Sequence, residues 1–315
     1  MIMPLKLFLM MNLTLLLLFG FLLGLLTAAG YYFELSGYLM VGIAVFVIFI
    51  QWLIGPSIIK WTTNMRQIEG SEFEWLQKDV KDICKKNNVK IPKLFLVRSG
   101  GPNAFAFGRT SGSAAIAVTQ GLLNSLSKEE VKAVVAHEVG HIKHNDMVVM
   151  TLVAAIPVIA YYIARFLVFT PKSSNDRKGG AAALIGVAAF LVYFVTNLLV
   201  LALSRMREYY SDRFSGENTK PSLLASALAK ITYGLSMNHE GQNAAVRSFY
   251  IADPVSASSE MSKFSSEYSD FELSDKELAS AMEWERSNVF VRISEIFATH
   301  PLTFKRIAAL KEMGK

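Results

Sequence analysis

The sequence predicts a mainly α membrane protein, in which four transmembrane helices carry a cytosolic α+β domain with a small β-sheet. Three observations lead there. Of 315 residues, 52% are hydrophobic and only 18% charged, too apolar for an ordinary soluble domain. The apolar residues gather in four runs, each of a length a helix needs to cross the hydrocarbon core, roughly 17 to 25 residues. Between the second and third runs, and after the fourth, the sequence turns polar and acquires helix caps, short alternating segments and turn residues.

The first two runs are LFLMMNLTLLLLFGFLLGLLTAAGYYF and LSGYLMVGIAVFVIFIQWLIGPSII, and Glu34 is the only charge between Leu7 and Ile59. TAAG at 27–30 resembles a signal cleavage site. The run exceeds the roughly 7 to 15 residues of a signal core and a second span follows at once, so an uncleaved anchor is expected. The third run begins at Met147 and the fourth covers Gly179 to Ser204. This divides the chain into two N-terminal spans at 1–59, a first polar part at 60–146, two further spans at 147–204 and a second polar part at 205–315. Gly20 and Gly24 form a G-x-x-x-G pair in the first span, which leaves self-association open.

In the first polar part, SEFEWLQKDVKDICKKNN reads as an amphipathic helix with Phe73, Leu76, Val80 and Ile83 on one stripe. KLFLVR, NAFAFGR and AAIAVT read as three short strands separated by Gly100, Gly101, Pro102 and by Ser111, Gly112. Ser127 with Glu130 then forms a capping box that opens VKAVVAHEVGHI. Cys84 is the sole cysteine, so no disulfide forms within one chain. The net charge of +6 suits an anionic membrane surface, and no nucleic-acid motif accompanies it.

That helix carries the chemistry. His137 and His141 are four residues apart, hence on one helix face, and Glu138 follows the first directly, a complete H-E-x-x-H pattern. Two imidazole nitrogens at about 2.0 to 2.1 Å occupy two corners of a tetrahedral Zn²⁺ site, and the glutamate can take a proton from water activated there. Gly140 costs a helix about 1 kcal/mol against alanine, which asks for a packing or site reason.

A site of two histidines still lacks a protein ligand. The fourth run continues into RMREYYSDRF, where Glu208 and Asp212 share a helix face. Glu208 can supply the third ligand, and Asp212 can receive the ring N–H of a liganding histidine. The alternative for Glu208 is a solvated charge beside Arg205 and Arg207. With four spans the two polar parts lie on one side, which Lys6, Lys60, Arg66, Lys143, Arg205 and Arg207 mark as cytosolic by the positive-inside rule. Lys172, Arg177 and Lys178 in the loop at 171–180 oppose this, so the third and fourth spans are expected to be shallower. The tail offers a helix from Pro221, loops over 236–273, a helix capped by Ser274 and Glu277, and a helix from near Pro301.

The ordered set of two spans, NAFAFG at 103–108, HEVGHIKHND at 137–146, two more spans, E-x-x-x-D at 208–212 and HPLTFKR at 300–306 resembles the HtpX-like membrane zinc metallopeptidases, relatives of the CAAX prenyl endopeptidases. The resemblance implies a zincin-like metallopeptidase domain facing the cytosol of the cell membrane, with one Zn²⁺ per chain. Misfolded or damaged membrane and cytosolic proteins would be its substrates, in quality control and the stress response. It implies His137, His141 and Glu208 as metal ligands and Glu138 as general base. Asp146 and Asp212 would support the ligands, Asn103 would lie on the strand that pairs with substrate, and His300 with Arg306 would steady the transition state. His144 is no ligand in that pattern, although it too can drift to the histidine face.

Four spans are too few to enclose a chamber for prenylated CAAX substrates, which makes that activity the second reading. A zinc-dependent lipid or amide hydrolase and a catalytically silent zinc-binding adaptor can use the same residues. Oligomeric state and cleavage preference stay open.

Overall fold

The computed structural model describes residues 5–33, 37–169, 179–234 and 275–314. It consists of two compact units, Met1–Ile54 with Val148–Met206, and Gly55–Met147 with Arg207–Lys315. Most described residues are helical, and one small sheet accompanies the helices.

The first unit is built from α1 (Leu5–Phe33), α2 (Gly37–Thr63), α6 (Asp146–Phe169) and α7 (Gly179–Asn218), the last three continuing into the second unit. All four helices are long and apolar enough to cross a membrane. Leu18 of α1 packs with Val153 and Ile156 of α6 and with Val200 and Leu203 of α7. Farther along, Leu25 meets Ala160, Ala164 and Ala189. Outward side chains such as Leu16, Leu23, Leu184 and Leu191 stay exposed.

The second unit holds a four-stranded sheet in the order β1-β2-β4-β3, made of β1 (Arg66–Gln67), β2 (Lys93–Val97), β3 (Ala104–Phe107) and β4 (Ala115–Thr119). β2 and β4 run parallel, whereas β1 and β3 are antiparallel to their neighbours. The period of two places Leu94, Leu96, Ile116 and Val118 in the main core and Phe95, Val97, Phe105, Phe107, Ala115 and Ala117 on the opposite face. Ile59 and Met65 pack against that second face, and the Lys60 ammonium lies 5.1 Å from the Phe95 ring centre.

The main core also takes α3 (Glu74–Lys86), α5 (Lys128–Lys143), α8 (Pro221–Gly234) and α11 (Thr303–Met313). α3 buries Leu76, Val80, Ile83 and Cys84. Phe73, expected on the same stripe, packs against the same core from the N-cap position, in a left-handed conformation at φ 49°. The capping box forms as expected. Ser127 Oγ accepts from Glu130 N at 3.2 Å, and Glu130 Oε2 accepts from Ser127 N at 2.8 Å. Glu130 additionally accepts from Ser226 Oγ at 2.6 Å and pairs with Lys230, so the cap also ties α5 to α8.

Three elements carry no clear signal in the sequence: β1, α4 (Gln120–Ser125) and α10 (Val289–Ser294). α9 spans Asp275–Ser287. The expected cap at Ser274 and the loops at 236–273 lie outside the described residues, as do Lys172, Arg177 and Lys178.

Candidate metal centre

Four elements of the second unit converge on one buried cluster. α5 supplies His137, Glu138 and His141, the first turn of α6 supplies Asp146, α7 supplies Arg207, Glu208 and Asp212, and the turn into α11 with its first residues supplies His300 and Arg306. α5 ends at Lys143 with His144 at its C-cap, and Asn145 then takes a left-handed φ of 57° that turns the chain into α6 at Asp146; asparagine tolerates that conformation better than most residues.

Zinc sets a definite spacing for its donor atoms. Bonds of about 2.0 to 2.1 Å at tetrahedral angles separate ligand atoms by about 3.3 to 3.4 Å. His137 Nε2 and His141 Nε2 are 3.1 Å apart. Glu208 Oε2 lies 3.5 Å from the former and Glu208 Oε1 3.4 Å from the latter. These contacts use both Glu208 oxygens, and their spacing is compatible with the three residues holding one zinc ion. Glu208 Oε2 is buried without a well-formed hydrogen bond, and the Arg306 guanidinium stands 3.1 Å from it. Glu138 is also close, since one ligand atom from each of His137, Glu138 and His141 lies within 4.8 Å of the others. Its Oε2, however, accepts the backbone N–H of Ala106 at 2.7 Å.

Behind these three residues stands a layer of paired charges. His141 Nδ1 is 2.7 Å from Asp146 Oδ2, and Asp146 is held in turn by Arg207, which also donates to His144 O at 2.8 Å. Asp212 Oδ1 lies 2.9 Å from His137 Nδ1, close but not aligned for a good hydrogen bond. Arg306 is 1% exposed. Its Nε and Nη2 reach Asp212 at 2.8 and 2.5 Å, and Nη1 lies 3.1 Å from Glu208 Oε2. Where the sequence expects a donor for the transition state, the structure puts this guanidinium against two carboxylates.

His300 Nε2 lies 3.7 Å from Glu208 Oε1, with Nδ1 2.9 Å from Thr299 Oγ1. Burial pushes the ring down to about 4, so it is neutral at pH 7. Burial likewise raises the Glu138 carboxyl above its ordinary range, against the pull of the nearby histidines and the Ala106 N–H. The turn bearing His300 is held by two glutamates that the sequence does not single out. Glu285 accepts from the N–H groups of Thr303 and Phe304 at 3.1 and 3.0 Å, and Glu295 accepts from Leu302 N at 3.2 Å. Together they satisfy three orphan donors at the start of α11.

Asn103 immediately precedes β3 and is 1% exposed. Its N–H donates to Thr119 Oγ1 at 2.8 Å and its C=O accepts Thr119 N at 2.9 Å. Antiparallel pairing alternates along a strand. Asn103, Phe105 and Phe107 thus turn their backbone groups to β4, while Ala104 and Ala106 turn theirs outward, where Glu138 meets one of them. His144, the alternative ligand, instead contacts the rings of Tyr210 and Phe214.

Residues 70–314 match the model of peptidase family M48. The chain is 42% identical to the Protease HtpX homolog of Methanothermobacter thermautotrophicus, over 75% of this chain and 90% of that one. With the Protease HtpX homolog of Thermoplasma acidophilum it shares 31% identity over 92% of each. Its fold is similar to the crystal structure of S. mikatae Ste24p, with a TM-score of 0.53 and 18% identity over 98% of this chain and 67% of the other.

Proposed function

The chain belongs to peptidase family M48 and is a metallopeptidase; on that premise we propose that it holds one zinc ion on His137, His141 and Glu208 and cuts misfolded or damaged membrane and cytosolic proteins internally. The observation that carries the reading is that the two ring nitrogens stand 3.1 Å apart and the two Glu208 oxygens lie 3.4 and 3.5 Å from them. When bound, the ion supplies a Lewis acid that acidifies water and polarises the scissile carbonyl.

The rest is work for the chain's own groups. Glu138, adjacent to the ligands, takes the attacking water's proton and delivers it to the leaving amine. Burial, which raises this carboxyl, suits a group that must both accept and return a proton. The outward backbone groups of β3 can pair with an extended peptide by β-augmentation and present its scissile bond to Glu138, with Asn103 fixing the start of that strand through Thr119. A Thr299 hydroxyl donating to His300 Nδ1 leaves the ring proton on Nε2, on the Glu208 side, where it can stabilise the developing oxyanion. Arg306 acts one step back: it holds Glu208 and Asp212 ionised and in register.

Four helices of crossing length support a multi-pass membrane protein, and the lysines and arginines at their ends support a catalytic unit in the cytosol. The test is to incubate detergent-solubilised protein, zinc and an unfolded membrane protein, and to map the cut bonds. Cleavage by the wild type and none by Glu138→Gln is expected. Equal cleavage by both would remove the reading.

A further inference from the structure

Gly140 lies inside α5, between Val139 and His141, where no turn or unusual dihedral calls for glycine. Its surroundings do. A Cβ there would stand 3.1 Å from Ser211 Cα, 3.2 Å from Phe214 Cβ and 3.2 Å from Ser211 Oγ. The first of these contacts is to backbone, so no rotamer change clears it; α7 itself would have to move back by some tenths of an ångström. Ser211 is fully buried, one residue before Asp212 and three after Glu208, and thus a helical neighbour of Glu208. A turn farther on, Ser215 Oγ donates to Ala133 O at 2.7 Å and fixes the approach of the same two helices.

We infer that Gly140 is a positioning residue for the metal: by lacking a side chain it lets α7 approach α5 closely enough for Glu208 to share an ion with His137 and His141. This rests on the ligand assignment proposed above. The Glu208 oxygens are 3.4 and 3.5 Å from the two ring nitrogens, already at or slightly beyond the tetrahedral spacing. Outward movement of α7 has no slack to consume, and the third bond lengthens first.

The test is a double-mutant cycle on full-length, detergent-purified protein, with zinc affinity read by chelator competition and folding by thermal melting of the metal-free form. Gly140→Ala is expected to weaken zinc by roughly ten- to a hundredfold with melting near wild type. In a Glu208→Ala background it should cost less than about threefold, because the contact it disturbs is gone. Additive losses, unchanged affinity, or affinity falling only with melting temperature would overturn the inference. If Gly140→Ala does not fold, Ser211→Thr crowds the same gap from α7 and replaces it in the cycle; failure of that variant to fold, or wild-type affinity in it, overturns the inference equally. A Glu208→Ala variant with undiminished zinc affinity would overturn the ligand assignment instead, and this inference with it.

Discussion

The Arg306 guanidinium grips the Asp212 carboxylate with two prongs, Nε at 2.8 Å and Nη2 at 2.5 Å, in a place 1% exposed on the arginine side. Removing one member of such a pair leaves an uncompensated buried charge, at a cost of about 3 to 5 kcal/mol. Arg306→Ala should therefore lose stability and zinc together, as denaturant titration and metal analysis would record. His300→Ala leaves no charge stranded, and should lower turnover roughly ten- to a thousandfold with stability and zinc content near wild type. A wild-type denaturation midpoint for Arg306→Ala would contradict its structural role.

Glu138→Gln keeps the shape of the site and removes the base. Proteolysis should fall by at least about a hundredfold while zinc content, measured by atomic absorption, stays at wild-type stoichiometry. Retained activity would assign the base elsewhere.

Asp146 receives His141 Nδ1 at 2.7 Å and is itself held by Arg207. Asp146→Asn should weaken zinc by roughly ten- to a hundredfold, read by chelator competition. The same change at Glu217, which pairs with Arg213 at the surface, should leave affinity unchanged.

Glu130 reports on acid stability. Burial alone would raise its carboxyl, but the Ser226 hydroxyl, the Ser127 N–H and Lys230 outweigh burial and hold it below its ordinary 4.5. A folded value below the unfolded one gives stability that is complete above about pH 4.5 and lost as pH falls through the folded value. Glu130→Gln should cost about 1 to 3 kcal/mol at neutral pH, and its difference from wild type should shrink on acidification. A difference that grows toward low pH would reverse the assigned sign.

Sidedness needs a reporter other than the native thiol. Cys84 is fully buried and its thiol is pushed up to about 11 by burial, so it should resist maleimide on either side of a membrane. In a Cys84→Ser chain, Lys86→Cys places a thiol at an exposed position of α3. Labelling by an impermeant maleimide only after cells are permeabilised is expected; labelling of intact cells would put the catalytic unit outside.

Patterns that repeat locally were readable before the structure. The four apolar runs, the Ser127 and Glu130 box, the three longer strands and the histidine pair each rest on spacing within one element, and each appears where that spacing places it. Pairings across the fold left less trace. Arg207 reads as one more cation beside an apolar run, yet it holds Asp146. Ala106 contributes a backbone N–H, which every residue but proline possesses. Glu285 and Glu295 lie in a stretch without motif and serve the start of α11. Arg306 stood out in HPLTFKR, but its direction did not, because two carboxylates from another helix decide where its guanidinium points. Gly140 announced itself only as an anomaly of helix propensity, whose cause lies on α7.

The unit that holds the site is discontinuous in the chain, Gly55–Met147 and Arg207–Lys315, with another unit's residues between them. The two histidines belong to the earlier stretch and Glu208, whose oxygens lie 3.4 and 3.5 Å from them, to the later one. During synthesis the histidine helix emerges first, and Glu208 follows only after the intervening apolar stretch of α6 and α7 has been made. A nascent chain that has made α5 but not α7 therefore lacks the Glu208 and Asp212 carboxylates that face its two histidines in the finished fold.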